Sequence, residues 1–169
     1  ELMPKGSLRD LLKDSKYTFK QRMQFAKQTA QGMAWLHTMS PPMIHRDLKT
    51  GNLLVNQFNV VKVSDFGLSL ITSPEEEMKS VGTPLWMAPE QTGGTVGPPT
   101  DVWAFGLLAF WLLTGRHYWR AADAAPEDRV RAAMKEILVD PLEPASVRAA
   151  QLGAASRLPA GFDDWFARC

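Results

Sequence analysis

The chain has 169 residues, 45% of them apolar, and a formal net charge of +1. That is enough apolar material for one core of ordinary size and argues against global disorder. The near-zero charge gives no electrostatic case for nucleic acid or an anionic membrane as partner. The single cysteine, Cys169 at the last position, excludes an intramolecular disulfide and a cysteine-based metal site.

The opening "ELMPKGSLRDLL" has neither the basic start nor the apolar stretch of a signal peptide. With one cysteine in the chain, a reducing compartment and a cytoplasmic location are expected. Gly6 and Ser7 supply a turn and an N-cap for a short helix. Thr18 and Gln21 match a capping box. Met23, Ala26, Ala30, Met33 and His37 then recur at helical spacing, which predicts a long amphipathic helix with this stripe inward. "SPP" at 40–42 stops it. "NLLVN" and "VVKVSDF", separated by "QFN", predict a small hairpin. Residues 67–97 show little periodicity and many turn formers, and a loop of that length in a compact domain points to function. "GGTVG" within it superficially resembles a phosphate loop but lacks the GxGxxG pattern and flanking strands, so it reads as a connection. "VWAFGLLAFWLL" is too short to cross a bilayer and reads as a buried core helix over 101–114, capped by Thr100 and ended by Gly115. Pro126 opens another helix, Pro141 and Pro144 break it, and "GFDDWFARC" begins a last one. The predicted fold class is mainly α, with one small β-hairpin and no parallel-sheet pattern.

The chemistry concentrates in "IHRDLKTGNLL", residues 44–54, where charge is lodged between apolar ends. Asp47 and Asn52 lie five residues apart in a turn-like stretch, and Asp65 follows the hairpin. A carboxylate and an amide oxygen brought together by a hairpin suit a hard cation such as Mg²⁺. A second carboxylate could orient a hydroxyl nucleophile, and Lys49 could neutralise phosphate charge. These are the parts that phosphoryl transfer needs, since its catalysis is mainly positioning and charge compensation.

"HRDLKTGN", "SDFG" and "WMAPE", in that order, resemble the catalytic lobe of eukaryotic-type protein kinases. "ELMPKGSLRDLL" resembles the end of the interlobe hinge and the helix after it, and "TDVWAFGLLAFWLLTG" the central helix of the large lobe. The resemblance covers nearly the whole chain. It implies a partial kinase domain over 1–169: a hinge remnant at 1–6, a helical C-terminal lobe at 7–169 cut short at its end, and an N-terminal lobe absent from the sequence. No GxGxxG loop, no strand lysine for the α and β phosphates and no partner glutamate for that lysine occur in it.

The resemblance also implies roles. Asp47 would be the catalytic base, Lys49 the γ-phosphate lysine of the serine/threonine class, and Asn52 and Asp65 the Mg²⁺ ligands, with Mn²⁺ as an alternative ion. Met3 would offer backbone groups to the adenine of ATP and Leu54 would pack beneath it. Arg46 would await an anion from the activation loop, with Ser80 as best-placed phosphoacceptor and Thr72 and Ser73 behind it. "EEE" at 75–77 is an alternative partner for Arg46, or an ordinary solvated charge run. Thr83 would shape the substrate loop. His45 and Phe66 would pack together, Glu90 would look for an arginine beyond Cys169, and Asp101 would hold the backbone at His45 and Arg46 from below. His37 is read as core and His117 as a surface or packing residue. The implied function is an ATP-dependent serine/threonine protein kinase of tyrosine-kinase-like flavour, with dual specificity left open. Its expected partners are ATP, a protein substrate with Ser or Thr, and the N-lobe or regulatory domains of a longer chain, with no nucleic acid and no membrane segment. The alternatives are a non-catalytic half-kinase serving as a protein-binding module, and a pseudokinase, against which the intact Asp47, Asn52 and Asp65 argue.

Overall fold

The computed structural model describes residues 2–13, 17–66 and 84–169. In chain order, the helices are α1 (Leu8–Leu11), α2 (Phe19–His37), α3 (Pro98–Thr114), α4 (Pro126–Leu138), α5 (Ala145–Gln151) and α6 (Phe162–Phe166). Between α2 and α3 lie the strands β1 (Leu53–Val55) and β2 (Val61–Val63). Among the described residues the architecture is mainly helical with one two-stranded sheet, as the sequence predicts. No helix among the described residues is long and apolar enough to cross a membrane.

Local chemistry sets most boundaries. Ser7 caps α1 by accepting the Asp10 amide, and the Thr18/Gln21 capping box opens α2 with both reciprocal bonds made. The hairpin pairs antiparallel in the register Leu53 to Val63, Leu54 to Lys62 and Val55 to Val61. Asn59 in its turn adopts φ 61, a left-handed value that asparagine tolerates better than most residues. Gly115 ends α3 in the left-handed region at φ 75, where a side chain would be strained.

α3 is apolar all round, and a helix with no polar face belongs inside. It divides two core clusters. Ala104, Leu108 and Leu112, at i and i+4 spacing, join Leu8, Phe25, Met33, Leu36, Leu48, Leu53 and Val55 on one side. Leu107, Phe110 and Leu113 join Tyr118, Trp119, Ala133, Ala149 and Phe166 on the other.

Four readings need correction. The buried face of α2 is Phe25, Ala26, Thr29, Met33 and Leu36. Met23 and Ala30, expected inside, face an apolar groove shared with Phe105 and Trp165. Packing against both α3 and β2 turned the helix so that Phe25, Met33 and Leu36 face inward while Trp35 stays exposed. His37 is no plain core residue: its Nε2–H donates to Asp101 Oδ2 at 2.8 Å. α3 starts at Pro98, not 101, because a proline is well suited to the first turn. Thr100 lies inside that turn, accepting the Gly97 amide at 3.2 Å and donating to Glu90 at 2.6 Å. Finally, α5 was not expected. Pro144 acts as the residue that starts a helix as well as one that breaks the last. Two alanines of this stretch, Ala145 and Ala149, are packing residues, both fully buried.

Asp101, buried to 1% exposure in the first turn of α3, ties three parts together. Besides His37 it accepts the backbone N–H of His45 and of Arg46, each at 2.9 Å. Asp101→Ala orphans both amides and the imidazole, and should lower unfolding free energy by about 3 kcal/mol in urea titrations. Just beyond the C-terminal end of α3, His117 lies against Trp86 and Trp111, with ring centroids 5.1 and 6.5 Å apart. Burial pushes its pKa below the ordinary 6.5; Asp123 opposes this and Arg129 adds to it. The folded state therefore favours the neutral ring. This contribution is complete above the ordinary histidine value and is lost as pH falls from there through the lowered folded-state value. The loss of urea stability on acidification should be smaller in His117→Phe than in the parent chain.

Candidate active site

The segment 44–54 alternates between anchors and exposed chemistry. His45, Leu48, Thr50 and Asn52 are buried, whereas Arg46, Asp47 and Lys49 are partly open. The anchors leave the segment's backbone little freedom, and its polar side chains are aimed accordingly.

Asp47 is the centre. Lys49 Nζ donates to its Oδ2 at 2.6 Å. Asn52 Nδ2 donates to the same Oδ2 at 2.9 Å and to the Asp47 carbonyl, also at 2.9 Å. One carboxylate oxygen is thus held twice, while Oδ1 has no hydrogen-bond partner among the described residues. With both hydrogens of the Asn52 amide spent on Asp47, the Asn52 carbonyl oxygen Oδ1 is likewise left available. The Asp47 and Lys49 side chains are 16% and 22% exposed, so the pair is shielded yet reachable.

His45 links this cluster to Asp65. Its Nδ1 accepts the Asp47 amide at 3.3 Å and its Nε2–H donates to the Ser64 carbonyl at 2.9 Å. Those two bonds fit the tautomer that carries its proton on Nε2. Ser64 in turn donates its backbone N–H and its hydroxyl to the Asn52 carbonyl, at 2.9 and 3.1 Å. Asp65 follows directly, exposed, at φ 63. The hairpin therefore returns the chain from Asn52 to within one residue of Asp65. A carboxylate and an amide oxygen are a hard-oxygen donor set that fits Mg²⁺, an ion that takes few protein ligands and keeps the rest of its shell for water and phosphate.

The remaining expected residues fall as follows. Phe66 packs on His45 with ring centroids 5.4 Å apart, and is 36% exposed. Leu54 sits between Leu53 and Val55, both fully buried, so strand alternation turns Leu54 to the opposite, half-buried face. The Met3 carbonyl accepts the Gly6 amide at 3.0 Å. Arg46 adopts φ 65, and its Nε is buried with no partner among the described residues. Glu90 accepts the Thr100 hydroxyl. Thr72, Ser73, Glu75–Glu77, Ser80 and Thr83 lie outside the described residues.

Two members of the arrangement escaped the sequence reading. Gln91, buried, donates to the Arg46 carbonyl at 2.8 Å while accepting the Ala88 amide at 2.9 Å. Ser64 carries the bonds to Asn52 described above. Neither has a sequence signal of its own, because a Gln or Ser beside a motif is common and only tertiary contact gives it a task.

A family model described as "Protein kinase domain" matches residues 1–152. "Dual specificity protein kinase shkA" of Dictyostelium discoideum is 48% identical over 122 residues, covering 68% of this chain and 23% of that protein. "Dual specificity protein kinase shkC" of the same organism is 40% identical, over 68% of this chain and 24% of that protein. "Putative serine/threonine-protein kinase/receptor R831" of Acanthamoeba polyphaga mimivirus is 39% identical, over 69% of this chain and 7% of that protein. The chain spans less than a quarter of the length of these relatives. The family match runs through most of the sequence and includes the whole of the Asp47 cluster, and the chain belongs to the eukaryotic-type protein kinase family.

Proposed function

We propose that the chain is the catalytic lobe of an ATP-dependent protein serine/threonine kinase, which transfers the γ-phosphate of ATP to Ser or Thr hydroxyls of protein substrates. The observation that carries this reading is the divided carboxylate of Asp47: Oδ2 engaged by Lys49 and Asn52, Oδ1 left open. An open carboxylate oxygen beside a cation can receive and orient a substrate hydroxyl while the cation meets phosphate charge.

The roles divide accordingly. Asp47 Oδ1 aligns the acceptor hydroxyl and takes its proton. Lys49 and Asn52 keep the carboxylate from rotating away. Lys49 also offsets the negative charge of the transferring group. Asn52 Oδ1 and Asp65 would hold Mg²⁺, which when bound supplies neutralisation of phosphate oxygens. Met3, just before the segment bonded to β1, and Leu54, on β1 itself, would meet the adenine. Arg46 would pair with an anion of the activation loop, at Ser80 or from Glu75–Glu77, and Thr83 would help shape the substrate loop.

The decisive assay uses the full-length natural chain with γ-labelled ATP, Mg²⁺ and a generic basic protein. Label should appear on serine and threonine. Two of the relatives carry dual specificity in their names, so label on tyrosine as well would extend the acceptor range. Asp47→Asn should lower transfer by about 10²–10⁴-fold, and labelling that survives in this variant would remove Asp47 as the base. A parent chain that binds a protein saturably but transfers nothing would favour the binding-module alternative. Asn52→Ala should cost about 10²–10³-fold in kcat and raise the Mg²⁺ concentration needed for half-maximal rate. An unchanged Mg²⁺ dependence would take Asn52 out of the ion site.

A further inference from the structure

Arg9 stands in the middle of α1, beside the fully buried Leu8, yet its own side chain is 65% exposed. The position of α1 against the Asp47 segment is fixed by backbone bonds. The Lys5 amide donates to the Val55 carbonyl at 3.2 Å, the Val55 amide donates to the Gly6 carbonyl at 2.8 Å, and Ser7 bridges to Leu54. This strand-like seam brings α1 against the turn Thr50–Asn52. The Arg9 guanidinium therefore lies over Gly51: a β-carbon placed there would be 3.9 Å from both Cζ and Nη1 of Arg9. Gly51 adjoins Asn52, which is hydrogen-bonded to Asp47. Having no side chain, Gly51 leaves the guanidinium uncovered at the rim of the site.

The charge has no close partner among the described residues. Its one ion-pair contact among them is Asp10 at 4.0 Å, too long for a hydrogen bond. Asp10 is already occupied by the Ser7 hydroxyl at 2.7 Å and by Lys13 at 3.0 Å. Neighbouring cations are engaged elsewhere: Lys5 donates to Asn59 Oδ1 at 2.7 Å and Lys49 to Asp47. A guanidinium presents its donors in a planar fork that matches a carboxylate.

We propose that Arg9 is a specificity-determining residue that selects protein substrates carrying Asp or Glu close in sequence to the acceptor hydroxyl. The proposal rests on the kinase reading above. It places the acidic side chain of the substrate over Gly51 while the acceptor hydroxyl meets Asp47.

The test is a set of acceptor peptides in which Asp, Ala or Arg occupies each flanking position in turn, phosphorylated by the full-length natural chain. At one or more positions Asp should raise kcat/KM over Ala by about three- to fivefold, the scale of a single partly exposed charge pair, and Arg should lower it. High salt should shrink the preference. Arg9→Ala should flatten it and Arg9→Glu should invert it, while both variants keep the parent rate on the all-Ala peptide, a result that a merely structural role for Arg9 would not give. Transfer without any acidic preference, or a preference that survives in both variants, overturns the assignment of Arg9 and leaves the kinase reading standing. No transfer by the parent chain to any peptide overturns the kinase reading and this proposal with it.

Discussion

A carboxylate with almost no contact with solvent receives two consecutive backbone amides, and the site depends on it. For Asp101 to bind the N–H groups of both His45 and Arg46, those groups must point the same way. Directly after these two amides the chain turns, with Arg46 in the left-handed region. That conformation costs a residue with a β-carbon about 1–2 kcal/mol. Each hydrogen bond to a charged acceptor returns about 1.5–3 kcal/mol, so two of them outweigh the strain. The Arg46 carbonyl, redirected by the same turn, meets Gln91, and Asp47 follows as the first residue beyond it.

A second constraint joins the two halves of the site. His45 spans from the Asp47 amide to the Ser64 carbonyl, and Ser64 spans back to Asn52. With the bonds from Asn52 to Asp47, these four residues close a small cycle of hydrogen bonds around the base of the hairpin. Asp65 leaves that cycle in another left-handed conformation. Backbone strain of this kind persists only where its surroundings over-determine it, and here it falls on the residue before Asp47 and on Asp65 itself.

Much of this was legible because the informative residues are local in sequence. The capping box at Thr18, the hairpin around "QFN" and the stop at Gly115 are each written within a few residues, and each formed. The cluster of Asp47, Lys49 and Asn52 lies within one turn-like stretch, so short-range pattern placed its members near each other. What could not be read was long-range. The rotation of α2 depends on competition between two packing partners. The bond from His37 to Asp101 joins positions 64 residues apart, and nothing in an apolar stripe ending in histidine announces it. α5 was hidden because alanine is a helix former whose burial, unlike that of leucine, leaves no periodic signature. Pro144 reads in the sequence as a terminator, although proline is equally at home at a helix start.

The all-apolar surface of α3 has a consequence for how this lobe transmits disturbance. Most helices lend one face to a core and the other to water, which insulates their neighbours from one another. α3 lends opposite faces to two clusters, and close-packed interiors respond to small changes of volume. A misfit on the Tyr118 side can be relieved only by moving a helix that also carries Leu108 and Leu112 against Phe25 and Leu53. Its first turn, moreover, holds Asp101. Sequence drift far from the reacting groups is therefore felt at His45 and Arg46, and the two clusters behave as one mechanical unit with the site mounted at its end.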